Sequence, residues 1–259
     1  MYCLILIEKP LKIKNTLLLL LVFSFGCASV FSQQGKVDPT FNTYDDGLLG
    51  DGFDNTVRTL SVQDDGKLIV GGDFLNFNGV ATPYLCRLLP DGSKDASFFL
   101  GTGFNNKVYT SLLQPDGKIL VAGSFTQFNG TAVGRLVRLN PDGSRDSSFT
   151  ASPGATNSII YNMVLQSDGS IFLVGSFTSF NGTAANRIVK ILPNGAVDTS
   201  FVTGSGASGL IEKIALQSDG KIIIGGGFEE FNGSTVGKIA RLNADGTLDA
   251  SFITGVGFD

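Results

Sequence analysis

Histidine is absent from the chain. That absence excludes the Ser-His-Asp triad, the Cys-His pair, His-ligated zinc and the histidine general base together. Charge is sparse: 19 Lys and Arg stand against 23 Asp and Glu, for a net charge of −4. With no basic tract in such a chain, nucleic acid is not an expected partner. No stretch of useful length has helical periodicity, so the phosphate and dinucleotide loops that open a helix are missing too. No segment is charged and repetitive enough to read as disordered. Cysteine is limited to Cys3, Cys27 and Cys86.

What the chain has is glycine, 34 residues of it, and a repeat. Asp-Gly recurs at Asp65, Asp116, Asp168 and Asp219, spaced by 51, 52 and 51 residues. A Gln stands two residues before each: Gln63, Gln114, Gln166 and Gln217. An apolar run ending in Gly follows, closing at Gly72, Gly123, Gly175 and Gly226. Phe-x-x-Phe-Asn-Gly then starts at Phe74, Phe125, Phe177 and Phe228. A basic residue comes next, at Arg87, Arg138, Lys190 and Arg241, and a second turn at Asp91, Asp142, Asn194 and Asp245. Each copy closes on Asp-x-Ser-Phe, from Asp95, Asp146, Asp198 and Asp249.

A fixed period of about 20–50 residues signals a solenoid, a propeller or another array. Asp-Gly or Asn-Gly between apolar runs signals a hairpin, because both turn residues take positive φ. Two such turns predict four strands per unit, near residues 108–114, 118–125, 136–139 and 145–149 in the second copy. Four antiparallel strands per repeat of this length make a β-propeller blade. A parallel β-solenoid has shorter coils and no need of paired hairpin turns. The repeated Gly72 column predicts a close backbone approach, expected near the axis where blades crowd. The paired Phe columns are expected to pack between blades, since such a unit cannot cover both its faces alone.

The strings DGKILVAGSFTQFNG and RLVRLNPDGSRDSSF, the second copy's core, resemble the delta-60 repeat. This is a bacterial repeat family assigned to β-propellers, common in secreted and surface proteins of Bacteroidetes-type organisms. The resemblance runs from about Val37 to Asp259; the third copy departs most, with Ser170, Lys190 and Asn194 in place of Lys, Arg and Asp. It implies the fold and an extracellular or cell-surface location. It implies no activity.

Residues 1–32 read as a secretory signal peptide: Lys9, Lys12 and Lys14, then an apolar core from Leu17 to Phe25, then Val30-Phe31-Ser32. The core is shorter than a membrane span of about 20 residues, so no span is expected after cleavage. Ser24-Phe25-Gly26-Cys27 offers a lipidation alternative, in which Phe25 fits poorly. Cleavage leaves Cys86 alone, read as a small buried hydrophobe. Residues 33–56 hold an orphan closing motif, Asp38-Pro39-Thr40-Phe41, and an acidic connector. Four units follow over 57–107, 108–159, 160–210 and 211–259. The chain stops where a fifth would begin, which predicts a fragment of a longer propeller with further blades downstream.

Carboxylates, amides, Tyr, Lys and Arg remain to carry chemistry. Asp91-Gly92-Ser93-Lys94-Asp95 and its copies alternate oxygens in a way that suits Ca²⁺, but lack the bidentate Glu of a calcium loop. Asp side chains capping turn N–H groups explain the same residues, so no cofactor is expected. Asn129-Gly130-Thr131 and its copies fit a glycosylation pattern and read as turns. Residues present in every unit serve the repeat: the Asp65, Phe74 and Asp95 columns, and the Arg87 column, expected to pair with the Asp95 column. A ligand site should break the symmetry. Asp73, Tyr84, Tyr109, Tyr161, Glu229 and Glu230 do so. These features predict a non-enzymatic structural or binding module for a protein or glycan at the cell surface. The alternatives are a glycoside hydrolase or lyase using Asp73 with a second carboxylate, and a calcium-stabilised adhesin segment.

Overall fold

The computed structural model describes residues 38–43, 51–151, 154–155, 157–253 and 255. The expected signal peptide, its cysteines and most of the acidic connector lie outside the described residues. So do the final residues that match Gly103-Phe104-Asn105.

The described chain is all-β, and its four repeats each fold into an antiparallel sheet. First strands are Val57–Val62, Val108–Leu113, Ile160–Leu165 and Leu210–Leu216. Second strands are Leu68–Gly72, Ile119–Gly123, Ile171–Gly175 and Ile222–Gly227. Third strands are Leu85–Leu88, Leu136–Leu139, Ile188–Ile191 and Ile239–Leu242. The second strand is central in every sheet. It is covered on both faces, so it reads as a continuous apolar run rather than an alternation; Ile119–Gly123 and Ile171–Gly175 are buried throughout.

The fourth strand expected at 145–149 is reduced to one bridge, Leu139 to Arg145, and likewise in the other blades. Asp146 then accepts hydrogen bonds from the N–H and hydroxyl of Ser148 at 2.9 and 2.6 Å, which curls the chain into a turn. The Asp-Gly turns also differ from expectation. In Asp65-Gly66 only the glycine takes positive φ (81°), and Gln63 N–H bonds Lys67 C=O at 2.8 Å. That is a type I turn with a G1 bulge. Both residues are positive at Asn78-Gly79 (47° and 71°). The Phe-Asn-Gly motif therefore makes the tighter hairpin, between Asn76–Phe77 and Val80–Ala81 in the first blade. Asn129 Oδ1 accepts the Thr102 N–H at 3.1 Å, and Asn78, Asn181 and Asn232 act alike.

Packing between blades follows from the alternation of side chains along each strand. Ile119 and Val121 face the first blade and join Ile69, Leu85 and Phe98. Leu120 and Ala122 face the third, joining Ile171, Leu173 and Phe177. Phe172 and Val174 face the fourth, joining Ile222, Ile224 and Phe228. Phe74, Phe125, Phe177 and Phe228 are each fully buried, which stabilises by about 1.5–3 kcal/mol per ring. In the first blade the same column packs with Phe53, Phe77, Val70 and Cys86. Burial pushes the Cys86 thiol up to about 12, so it sits as an inert hydrophobe.

A side-chain clamp closes each blade. Arg87 Nε meets Asp95 at 2.8 Å, Arg138 meets Asp146 at 2.8 Å, Lys190 meets Asp198 at 3.0 Å and Arg241 meets Asp249 at 2.7 Å. The guanidinium of Arg87 lies 4.6 Å over the ring of Phe98, and Arg138 lies likewise over Phe149. This accounts for the closing motif: Asp pairs, Ser caps the Asp, and Phe floors the Arg. The clamp also crosses the seam, with Arg87 donating to the Pro141 carbonyl of the next blade at 2.6 Å. Beside it, Phe99 N–H bonds the Asp142 carbonyl at 2.9 Å. The orphan motif seats in the same way, Asn42 N–H bonding the Asp91 carbonyl at 2.7 Å.

Candidate binding site

The site begins with a glycine. Val57 pairs with Gly72 and Thr59 with Gly71, so Arg58 is an extra residue in the first strand. The same bulge falls at Tyr109, Tyr161 and Glu212. A Cβ on Gly72 would overlap the Thr56 carbonyl oxygen; on Gly123, Gly175 and Gly226 it would overlap the carbonyls of Lys107, Ile159 and Leu210. The close approach predicted for this column is therefore within the blade, where the bulged strand crosses its own neighbour. It is not an approach between blades. A bulge re-aims one side chain out of the pleat. Here it re-aims Arg58, Tyr109, Tyr161 and Glu212, one from each blade.

The first strands pack side by side in blade order. Thr59 and Ser61 reach Ser111 of the next blade, hydroxyl to hydroxyl, at 3.0 Å each. That contact sets the re-aimed residues beside one another. The Arg58 guanidinium lies 4.6 Å from the centre of the Tyr109 ring. Tyr109 and Tyr161 meet edge to face at 5.3 Å and 77°.

Asp73 completes the group. It follows Gly72, and its N–H bonds the Thr56 carbonyl at 2.8 Å, which pins it at the bulge. It is 9% exposed rather than on a solvent-facing loop. Arg58 donates to both its oxygens, at 2.5 and 2.6 Å, and Lys107, just before the next blade's first strand, donates at 2.9 Å. The Arg58 hydrogen bond, then that from Lys107, holds the Asp73 carboxyl below the usual carboxylate range against the opposing effect of burial. The same hydrogen bond raises Arg58. Asp73 is thus a fixed anion anchoring two cations.

Three of the six symmetry-breaking residues, Asp73, Tyr109 and Tyr161, come together here. Three do not. Tyr84 is not an exposed aromatic: it is half-buried against the core joining the first two blades, at φ 66°. Its column holds Arg135, Arg187 and Lys238, also at positive φ. Glu229 and Glu230 are exposed at the outer hairpin of the fourth blade, where their N–H groups bond Ser208 Oγ at 3.2 and 3.0 Å. Arg58, Lys107 and Glu212 were not singled out from the sequence. Arg58 and Glu212 share a column with the two tyrosines, and the variability of that column is the signal.

The repeat-wide acids have structural partners. Asp65, Asp116, Asp168 and Asp219 each accept the N–H two residues on, between 2.8 and 3.2 Å. Asp91 accepts the N–H and hydroxyl of Ser93 at 2.9 and 2.7 Å, so the alternating oxygens fold back on their own turn. Among the described residues no three acidic or cysteine groups gather as metal ligands would.

Four antiparallel sheets packed face to face in sequence order are the blades of a β-propeller. The chain belongs to the family described as domain of unknown function (DUF5122) beta-propeller, which it matches at residues 63–98, 114–149, 166–201 and 217–252. No curated protein matches it in sequence. Among solved structures it is similar to virginiamycin B lyase from Staphylococcus aureus, at 16% identity and a TM-score of 0.45 over 76% of this chain and 57% of that one. It is also similar to XC5397, a gluconolactonase from Xanthomonas campestris, at 15% identity and a TM-score of 0.44 over 74% and 60%. The extracellular domain of the putative hybrid two component system BT4673 from B. thetaiotaomicron aligns at 16% identity and a TM-score of 0.45 over 77% and 23%. The chain spans little more than half the length of the lyase.

Proposed function

We propose that this chain is a secreted or cell-surface β-propeller segment that binds a ligand, with Arg58, Tyr109 and Tyr161 as its recognition patch. One observation carries the reading: five residues that depart from the repeat, Arg58, Asp73, Lys107, Tyr109 and Tyr161, form one connected group across three blades. Tyr84, Glu229 and Glu230 lie outside it. Phenol rings with a polar tip and an ordered guanidinium are residue types favoured at binding surfaces. Location at or beyond the cell surface rests on the signal-like character of residues 1–32.

The patch suits binding better than acid–base catalysis. A general acid needs a carboxyl whose proton affinity is raised toward the working pH. Asp73 is lowered, and two cations occupy its oxygens. The test is a ligand screen on immobilised glycans and surface proteins with the wild type, Arg58→Gln and Tyr161→Ala. Variants that melt like the wild type but lose the ligand support the reading. A ligand whose capture neither substitution changes places recognition elsewhere and refutes it.

A further inference from the structure

We propose that the patch takes an oligosaccharide with one carboxylate-bearing sugar at one end and neutral sugars beyond it. This rests on the binding reading above and names its ligand. The argument is the order of side chains along the row. Bulge positions on adjacent first strands run Arg58, Tyr109, Tyr161, Glu212. The row therefore has a cationic end, two phenols and an anionic end.

At the cationic end Arg58 and Lys107 share the single carboxylate of Asp73. Two positive charges against one negative leave a net positive charge. Arg58 uses Nε and one terminal nitrogen on Asp73, which leaves the other terminal N–H edge for a ligand. The Lys107 side chain is 43% exposed and keeps further N–H donors. Asp73 and the Tyr109 ring already fix the guanidinium, so little ordering remains to be done on binding. A ligand carboxylate meets donors of matching charge and geometry there.

In the middle, Tyr109 and Tyr161 are half-exposed and make no side-chain hydrogen bond through their hydroxyls within the described residues. Each presents an apolar ring and a polar tip. A pyranose has the complementary pair, a C–H face and a rim of hydroxyls. At the far end Glu212 is exposed. Its carboxylate repels a second acidic sugar and accepts from the adjacent hydroxyls of a neutral one. A uniformly acidic chain suits one end of this row and offends the other. An acidic peptide lacks the paired hydroxyl donors.

Calorimetric titration of the protein with four probes tests this: glucuronosyl-cellobiose, cellotriose, trigalacturonate and triglutamate. Glucuronosyl-cellobiose is expected to bind at least about tenfold tighter than cellotriose, the worth of one charge-assisted hydrogen bond. Arg58→Gln should erase that preference while leaving cellotriose binding intact, and Glu212→Gln should strengthen trigalacturonate alone. Tyr161→Ala should weaken both neutral and acid-capped sugars. Trigalacturonate binding as tightly as the acid-capped sugar, a preference that survives Arg58→Gln, or no saccharide binding at all overturns the proposal. Triglutamate binding that Tyr161→Ala abolishes overturns the saccharide assignment but leaves the patch as the binding site. The broader reading fails separately, through a screened ligand insensitive to both patch substitutions.

Discussion

Arg138 donates from Nη1 to the carbonyl oxygen of Pro193, in the next blade, at 2.7 Å. Its Nε meanwhile holds Asp146 of its own blade at 2.8 Å. One side chain thus closes a blade and fastens it to its neighbour. Its partner Asp146 is buried, with the side chain 8% exposed. Arg138→Met removes both roles and leaves Lys118, at 2.9 Å, as the one cation on Asp146 among the described residues. The expected loss is about 3 kcal/mol, the low end for breaking a buried pair, because Lys118 and Ser148 still hold the carboxylate. Arg138→Lys keeps the pair and loses the inter-blade bond, an expected loss of about 1 kcal/mol. Urea denaturation separates the two. An Arg138→Lys protein as stable as the wild type would show that the Pro193 contact contributes nothing.

The third blade departs from this clamp in two places that are coupled. It has Lys190 for Arg, and Phe172 where the other blades have Ile69, Leu120 and Ile223. The ring of Phe201 lies against Phe172 at 5.0 Å rather than under a guanidinium. Lys190 sits 5.8 Å from the Phe172 ring. Lys190→Arg alone meets Phe172 and should not stabilise. With Phe172→Leu the Arg regains its floor on Phe201. A double-mutant cycle should then show a favourable coupling of about 1 kcal/mol. Additive single effects would mean that the two departures are independent.

The repeat and the identity of the clamp were legible in the sequence because each rests on columns that recur in all four units, with Lys190 the one exchange in the basic column. Apolar runs gave the central strands, and Asp-x-Ser-Phe gave the pairing of the Arg87 and Asp95 columns. Turn type was not legible, since Asp65-Gly66 and Asn78-Gly79 look alike until φ is seen. The fourth strand is shorter than the sequence suggests, one bridge per blade, because Ser148 bonds Asp146 locally and competes with the ladder. For the site, Asp73, Tyr109 and Tyr161 stood out as odd residues among conserved neighbours. Arg58 and Lys107 did not, because a lone Arg or Lys in or beside a strand draws no notice without the partner that fixes it. The link between the Gly72 column and the bulge is a matter of backbone path, which no side-chain pattern encodes.

Adjacent glycines in the fourth blade make that link testable. A Cβ on Gly225 meets nothing nearer than the Lys238 carbonyl oxygen at 3.8 Å. One on Gly226 runs into Glu212 N at 2.8 Å and Ile211 Cα at 2.9 Å. Gly225→Ala is expected to stabilise by about 0.5–1 kcal/mol, through reduced freedom of the unfolded chain. Gly226→Ala is expected to cost about 2–3 kcal/mol, because backbone must move. It should also disturb Glu212, the bulged residue. Thermal melts of the two variants give the comparison, and equal melting temperatures would remove the bulge as the reason for the glycine column.

Acid should unfold this protein through its clamps, with no transition in the histidine range. Asp146 is held well below the ordinary carboxylate value of 3.8: burial opposes this, but hydrogen bonds from Ser148, Lys118 and Arg138 prevail. Asp95, Asp198 and Asp73 are lowered by the same kinds of contact. A group lowered in the folded state is protonated first in the unfolded one, so falling pH favours unfolding. Its contribution is complete above the unfolded value and disappears as pH falls through the folded value. The chain has no histidine and Cys86 is raised to about 12, so neither imidazole nor thiol supplies a transition between about pH 5 and 8. The urea midpoint should therefore be flat across that range and fall steeply below about pH 4. Asp146→Asn should lower the plateau and flatten the acid limb, since the group that titrates is gone. A variant whose acid limb parallels the wild type would assign acid unfolding to carboxylates outside the clamp.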